Sequence, residues 1–126
     1  MLESGGRSMD VRIEKADDVA VLIPVGNLVA SEIDSFNAHI GKLLDTHSGD
    51  LLLDMSRISF MDSSGLDAVM ALNRFATAGG GVFVCASLPD NLLKVFRVTR
   101  ADQKIRLAAT GLEGLMMIKA QRGEQS

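Results

Sequence analysis

The order of apolar segments in this 126-residue chain predicts an α/β fold built on a mixed, mostly parallel sheet. Apolar runs of strand length alternate with amphipathic segments of helix length, and parallel strands require such crossover connections. The hydrophobic content of 47% and the length also suit one domain with a single core. We therefore expect a single domain with about five strands and about four helices.

The domain is expected to span residues 9–120. Residues 1–8 show no periodicity and are predicted to be disordered or foreign to the natural chain, and the polar tail at residues 121–126 is expected to fray. A first, half-exposed strand is predicted over residues 9–14, where apolar and polar side chains alternate. A second, more buried strand is predicted over residues 19–25.

A first helix is predicted to follow the second strand. Ser31 can cap this helix, and an apolar stripe that includes Phe36 and Ile40 is expected to face the core. Two later runs, residues 51–53 and 82–86, are apolar at every position, which is typical of strands buried on both faces. We predict that these two runs are neighbouring strands at the centre of the sheet.

The carboxyl-terminal half continues the alternation of strands and helices. Residues 79–81 are three glycines, which predict a flexible turn, and Pro89 can open a third helix. Basic and apolar side chains alternate over residues 104–107, as in a short strand near the sheet edge. Thr110 and Glu113 form a capping-box pattern, which predicts the start of a last helix.

The clearest functional signal lies between the first central strand and the second helix, where a predicted loop ends in Asp-Ser-Ser-Gly. Asp and Ser side chains accept hydrogen bonds from the free N–H groups of a first helical turn. Asp62 as the cap would pack Met61 against Leu66, whereas Ser64 as the cap would place Asp67 at the acidic third position. In either case hydroxyl groups lie at a helix start beyond the carboxyl end of a strand, where partners usually dock in open α/β sheets.

The second helix is predicted to be apolar on almost all sides, because residues 68–72 read Ala-Val-Met-Ala-Leu. Some of this surface then lies exposed beside the helix start as a docking patch, or the helix is wholly buried in its own domain. The sequence leaves both interpretations open.

The composition argues against several other classes of function. The net charge of −3 and the absence of Trp and Tyr disfavour a nucleic-acid-binding surface. No apolar run approaches the roughly 20 residues that span a bilayer, and Cys85 is expected to be a small buried hydrophobe of a cytoplasmic protein. Neither His39 nor His47 has a spacing that ties it to Ser63, and both are expected to be solvated. We expect no metal, no cofactor and no enzymatic activity, because the motifs for them are missing.

The segment that ends in Asp-Ser-Ser-Gly resembles a known family. Residues 54–56 read Asp-Met-Ser and residues 60–66 read Phe-Met-Asp-Ser-Ser-Gly-Leu, which looks like the signature of STAS domains, specifically of bacterial anti-sigma factor antagonists. The resemblance extends over roughly residues 9–119 and includes the pattern Gly26-x-Leu28. It implies the fold of a single STAS-like domain.

The resemblance also implies a mechanism. In that family the hydroxyl directly after the Asp is phosphorylated by an anti-sigma factor that is also a serine kinase, and the matching residue here is Ser63. The unphosphorylated protein binds the anti-sigma factor and frees the sigma factor, and phosphorylation abolishes this binding. Partner contacts are then expected at Asp62, Ser63, Ser64, Gly65 and Leu66. A serine phosphatase is a further candidate partner, and the chain is expected to be a monomer or a weak dimer.

One position departs from the family pattern. Members often have Asp after Gly-x-Leu, where this chain has Val29, and the switch is expected to be less efficient if that carboxylate assists binding or phosphorylation. The alternative function is a STAS-type sensory or scaffold domain that binds a small ligand or belongs to a larger signalling assembly.

Overall fold

In the computed structural model, which describes residues 9–47 and 49–123, six strands form one mixed sheet and four helices cover it. The predictions for residues 1–8 and 124–126 lie outside the described residues. The strands are β1 (Asp10–Ala16), β2 (Val19–Leu28), β3 (Leu51–Asp54), β4 (Ile58–Met61), β5 (Phe83–Ala86) and β6 (Arg106–Ala108). The helices are α1 (Ile33–Thr46), α2 (Ser63–Ala78), α3 (Asp90–Val98) and α4 (Gly111–Gln121), with 3-10 turns at Ala30–Glu32 and Ala101–Gln103.

The strand order confirms the predicted centre of the sheet. Hydrogen-bonded neighbours run β1-β2-β3-β5-β6, so β3 and β5 lie side by side, with Leu51 opposite Phe83 and Leu53 opposite Cys85. The pairs β2–β3, β3–β5 and β5–β6 are parallel, and β1 pairs with β2 antiparallel. The sheet is therefore mixed and mostly parallel, and each helix that follows a parallel strand begins at the carboxyl edge of the sheet.

The loop predicted between β3 and α2 is wrong, because residues 58–61 form the additional strand β4. β3 pairs with residues 20–22 in the first half of β2, and β4 pairs with residues 26–28 in the second half. β3 and β4 are thus two parts of one interrupted strand beside β2. Pro24, whose nitrogen has no hydrogen to donate, lies in β2 between these two paired segments.

The helices divide between the two faces of the sheet. One face is covered by α1, α2 and α3 over a core that includes Phe36, Leu72 and Phe96, and the other face is covered by α4 through Ile118. Phe36 and Ile40 are 0% and 3% exposed, which confirms the predicted core face of α1. None of the helices in the described residues combines the length and the apolar character needed to cross a membrane.

Two local predictions at the ends of α1 are wrong. Ser31 does not cap the helix, because it lies in the 3-10 turn Ala30–Glu32 and the start of α1 has no side-chain cap. His47 is buried instead of solvated. Its Nε2 lies 2.9 Å from the carbonyl oxygen of Asp50, and its Nδ1 lies 3.0 Å from Nζ of Lys15. Lys15 lies in β1 and Asp50 directly precedes β3, so residue spacing does not reveal these partners.

The later helix starts follow the predictions. Thr110 accepts a hydrogen bond from the N–H of Glu113 at 3.1 Å, and Oε1 of Glu113 accepts one from the N–H of Ala109 at 3.3 Å. Pro89 directly precedes α3. Gly80 adopts a φ of 80° in the turn after α2, a backbone conformation that residues with a side chain rarely adopt.

Candidate functional site

Asp62 caps α2, which decides between the two predicted caps. Its Oδ1 accepts a hydrogen bond from the N–H of Gly65 at 3.0 Å, and its own backbone is extended. In this register Met61 is buried and Leu66 is half-buried, as expected for the apolar residues that flank such a cap. Ser63 is the first residue of α2 and is exposed to solvent.

The second carboxylate oxygen of Asp62 makes a contact that the sequence did not predict. Oδ2 accepts a hydrogen bond from the N–H of Ala30 at 3.0 Å, so Asp62 joins the start of α2 to the turn that precedes α1. The bonds from Ala30 and then from Gly65 stabilise the carboxylate and hold the pKa of Asp62 below its usual value. Every residue but proline carries a backbone N–H, so no residue pattern signals this partner.

Gly65 allows α2 to begin against the end of β2. A Cβ built on Gly65 would lie 1.9 Å from the carbonyl oxygen of Leu28 and 3.0 Å from Cγ of Met61. Any side chain at this position would therefore collide with the backbone of β2. Gly65 is buried, and its small size fixes the distance between the helix start and the sheet edge.

A groove of about 350 Å³ lies between α1 and α2, beside Ser63. Its lining consists of Ala30, Ile33, Asn37, Ser64, Asp67, Ala68 and Ala71, of which Ser64 is half-buried. The large apolar side chains of α2 are largely covered, because Val69 and Leu72 are buried and Met70 packs against the core. The structure therefore favours burial of α2 within its own domain over an exposed apolar docking patch on α2.

Two further residues of the motif region lie near this edge of the sheet. Val29, which stands where family members often have Asp, is half-buried and directly precedes Ala30. Phe60 is 57% exposed on β4, three residues before Ser63, and no role was predicted for its side chain. The large exposed apolar side chain of the motif region is thus contributed by a strand and not by α2.

The described residues offer little other chemistry. Within residues 9–47 and 49–123, no group of three His, Cys, Asp or Glu side chains could hold a metal ion. Cys85 is buried, and this burial raises the pKa of its thiol far above the usual range, which disfavours the reactive thiolate. His39 is exposed, as predicted, and its Nδ1 lies 2.8 Å from the carbonyl oxygen of Ser35. The chemical feature that remains is Ser63, an exposed serine at the start of a helix that Asp62 and Gly65 hold in place.

Comparisons with known proteins agree with the fold. The family model of the STAS domain matches residues 10–113. A candidate anti-sigma factor antagonist from Thermotoga maritima superimposes with a TM-score of 0.81 at 20% identity, covering 86% of this chain and 94% of that chain. An anti-sigma factor antagonist from Mycobacterium paratuberculosis superimposes with a TM-score of 0.74 at 21% identity, covering 93% of this chain and 99% of that chain. Phosphorylated SpoIIAA from Bacillus superimposes with a TM-score of 0.64 at 21% identity, covering 86% of this chain and 99% of that chain. These structures share the fold, and the match of the family model over most of the sequence shows that the chain belongs to the STAS domain family.

Proposed function

We propose that this chain is an anti-sigma factor antagonist that is switched by phosphorylation of Ser63. In the unphosphorylated form it binds an anti-sigma factor that is also a serine kinase, and so frees a sigma factor for transcription. Phosphorylation of Ser63 by the bound kinase ends the complex, and a serine phosphatase restores the binding form. The cycle takes place in the cytoplasm, and this chain contributes a binding surface and an acceptor hydroxyl without being an enzyme.

The position of Ser63 carries the proposal. Ser63 is exposed at the first position of α2, directly after the cap Asp62. The first turn of a helix carries a partial positive charge from its free N–H groups. Because an exposed anion at such a position is stabilised by about 0.3–1 kcal/mol, a phosphate on Ser63 is compatible with the fold.

The same phosphate acts against the complex. It adds about −1.5 to −2 charges next to the carboxylate of Asp62. A kinase that holds Ser63 in its active site also holds the phosphates of its nucleotide there, so two like-charged groups face each other after transfer. An unpaired charge in a dehydrated interface commonly costs several kcal/mol, and each 1.4 kcal/mol is tenfold in affinity. One modification can thus preserve the domain and break the complex.

The neighbouring serines fit the acceptor role less well. Ser64 is half-buried in the groove between α1 and α2. Ser59 is exposed on β4, but it precedes the cap and lies outside the helical turn that stabilises an anion. We therefore assign the acceptor role to Ser63 and treat residues 62–66 as the switch segment.

The first experiment identifies the partner. The chain is tagged and used for affinity capture in the native host, and the bound proteins are identified by mass spectrometry. The expected protein binds ATP, transfers phosphate to this chain and also binds a sigma factor. Capture of proteins that lack these three properties would contradict the proposal.

The second experiment locates the switch by titrating variants against the purified kinase and measuring phosphorylation by intact mass. Ser63→Ala is expected to fold, to keep binding and to accept no phosphate. Ser63→Asp is expected to fold and to bind at least about tenfold more weakly. The matched control Ser64→Ala is expected to accept phosphate to full stoichiometry. If Ser63→Ala is still fully phosphorylated, or Ser63→Asp binds as tightly as the wild type, the switch is not at Ser63.

A further inference from the structure

Phe60 is turned to the surface by a β-bulge. In the pairing of β2 with β4, Gly26 lies opposite Ile58 and the next residue, Asn27, lies opposite Phe60, so Ser59 is an extra residue in β4. In a regular strand Phe60 would share the face of Ile58, whose side chain is 1% exposed. The extra residue moves Phe60 to the opposite face, and bulges commonly re-aim a side chain in this way next to functional sites.

The bulge is braced by α3. The side-chain amide of Asn91 donates a hydrogen bond to the carbonyl oxygen of Ser59 at 2.8 Å. A bulge disrupts the hydrogen-bond ladder locally, and Asn91 supplies a donor for the carbonyl of the extra residue. Met61, the residue after Phe60, is again buried at 3% exposure. The braced carbonyl of Ser59 before Phe60 and the buried side chain of Met61 after it therefore hold Phe60 in its outward position.

Phe60 is close enough to Ser63 along the chain to share an interface with it. Three residues of extended chain span at most about 11 Å. An interface of standard size buries about 800 Å² on each partner, which corresponds to a circular patch with a radius of about 16 Å. Phe60 therefore lies within the area that a kinase centred on Ser63 can cover. Aromatic side chains that become buried in the middle of an interface are the usual hot spots of binding.

We infer that Phe60 is the apolar anchor of the complex with the anti-sigma factor kinase, and that Asn91 is a positioning residue that acts through Ser59. The inference rests on the proposed function, because it takes the kinase that modifies Ser63 as the occupant of this surface. It requires an apolar pocket on the kinase next to its phosphoryl-transfer site. Val98, which is 74% exposed, is the last residue of α3 and lies at the end of that helix away from Asn91 and the bulge.

Calorimetric titration against the purified anti-sigma factor kinase tests the anchor. Phe60→Ala is expected to weaken binding at least about 30-fold, which is about 2 kcal/mol at 1.4 kcal/mol per tenfold. Phe60→Leu retains a large apolar side chain and is expected to recover most of the affinity. The matched control Val98→Ala, which also removes an exposed apolar side chain, is expected to change the affinity less than about twofold.

Phosphorylation kinetics separate an interface role from a folding defect. Phe60→Ala is expected to raise the KM of the kinase for this chain and to leave kcat unchanged, because Phe60 lies outside the reacting group. Asn91→Ala is expected to weaken binding of the wild type but to add nothing to Phe60→Ala, since it acts through Phe60. A lower kcat for Phe60→Ala, or fully additive effects of the two changes, would contradict these roles.

The outcomes distinguish the anchor from the switch. If Phe60→Ala binds like the wild type while Ser63→Asp is weakened, Phe60 is not the anchor and the proposed function stands. If Phe60→Ala is weakened while Ser63→Asp binds like the wild type, the anchor stands and the switch is not at Ser63. If the kinase does not bind the wild-type chain, both proposals are overturned.

Discussion

Replacing Gly65 with Ala is expected to destabilise the domain, whereas the same change at Gly41 is expected to stabilise it. Both glycines lie inside helices, where Ala is favoured over Gly by about 0.5–1 kcal/mol. A Cβ at Gly41 in α1 would meet no atom within 4 Å, so Gly41→Ala gains this amount. A Cβ at Gly65 would lie 1.9 Å from the carbonyl oxygen of Leu28, a separation that real Cβ atoms essentially never show.

The start of α2 must retreat until this separation reaches at least 3.0 Å. Overpacking of this kind typically costs about 1–3 kcal/mol, which exceeds the gain in helix propensity. The retreat also strains the 3.0 Å hydrogen bond from Ala30 to Asp62, because Asp62 belongs to the displaced turn. Ser63 moves with that turn, so weaker binding of the proposed kinase partner is expected to accompany the loss of stability.

Urea unfolding followed by circular dichroism measures both variants against the wild type. The expected result is a lower free energy of unfolding for Gly65→Ala and a higher one for Gly41→Ala. If Gly65→Ala were as stable as the wild type, α2 would not begin against Leu28, and the packing of the site described above would be wrong.

Three further predictions concern the core, the thiol and the cap. Phe36→Ala is expected to cost about 3–5 kcal/mol in thermal unfolding, because Phe36 is fully buried, and an unchanged midpoint would refute its core position. Cys85 is expected to react with Ellman's reagent only after unfolding, because it is buried and its thiol pKa is raised; fast labelling of the native protein would contradict this. The pKa of Asp62 is lowered from 3.8 in the folded state, so the stability that it contributes is present above that value and is lost as the pH falls through the folded pKa. Asp62→Asn is therefore expected to flatten the acid side of the stability–pH curve, and an unchanged acid side would show that Asp62 does not titrate in this way.

The elements that the sequence predicted well are those in which one physical cause acts over several residues. Burial on both faces leaves an unbroken apolar run, and such runs identified β3 and β5 as central neighbours. The capping box at Thr110 is equally local, because both of its hydrogen bonds join residues within one turn. The cap at Asp62 is local in the same way, because its hydrogen bond from Gly65 also lies within one turn, although the sequence alone does not choose between Asp62 and Ser64.

The elements that the sequence did not predict depend on irregular backbone or on distant partners. The sequence predicts a loop in place of β4, because the bulge at Ser59 breaks the two-residue alternation and leaves two exposed residues between two buried ones. The burial of His47 depends on Lys15, which lies 32 residues away in β1. The contact between Asp62 and Ala30 uses a backbone donor that no residue pattern marks.

The arrangement at the carboxyl edge separates the proposed phosphorylation site from the groups that hold the edge together. Asp62 links two helix starts through its two oxygens, and Gly65 fixes the approach of α2 to β2. Ser63 lies between these two residues and is exposed. Within residues 9–47 and 49–123, the Ser63 hydroxyl makes no side-chain hydrogen bond that a phosphate would displace. A modification shifts an equilibrium only through a difference in interaction energy between the two states. We therefore expect the switch to act through charge in the complex, with the fold of the free domain unchanged.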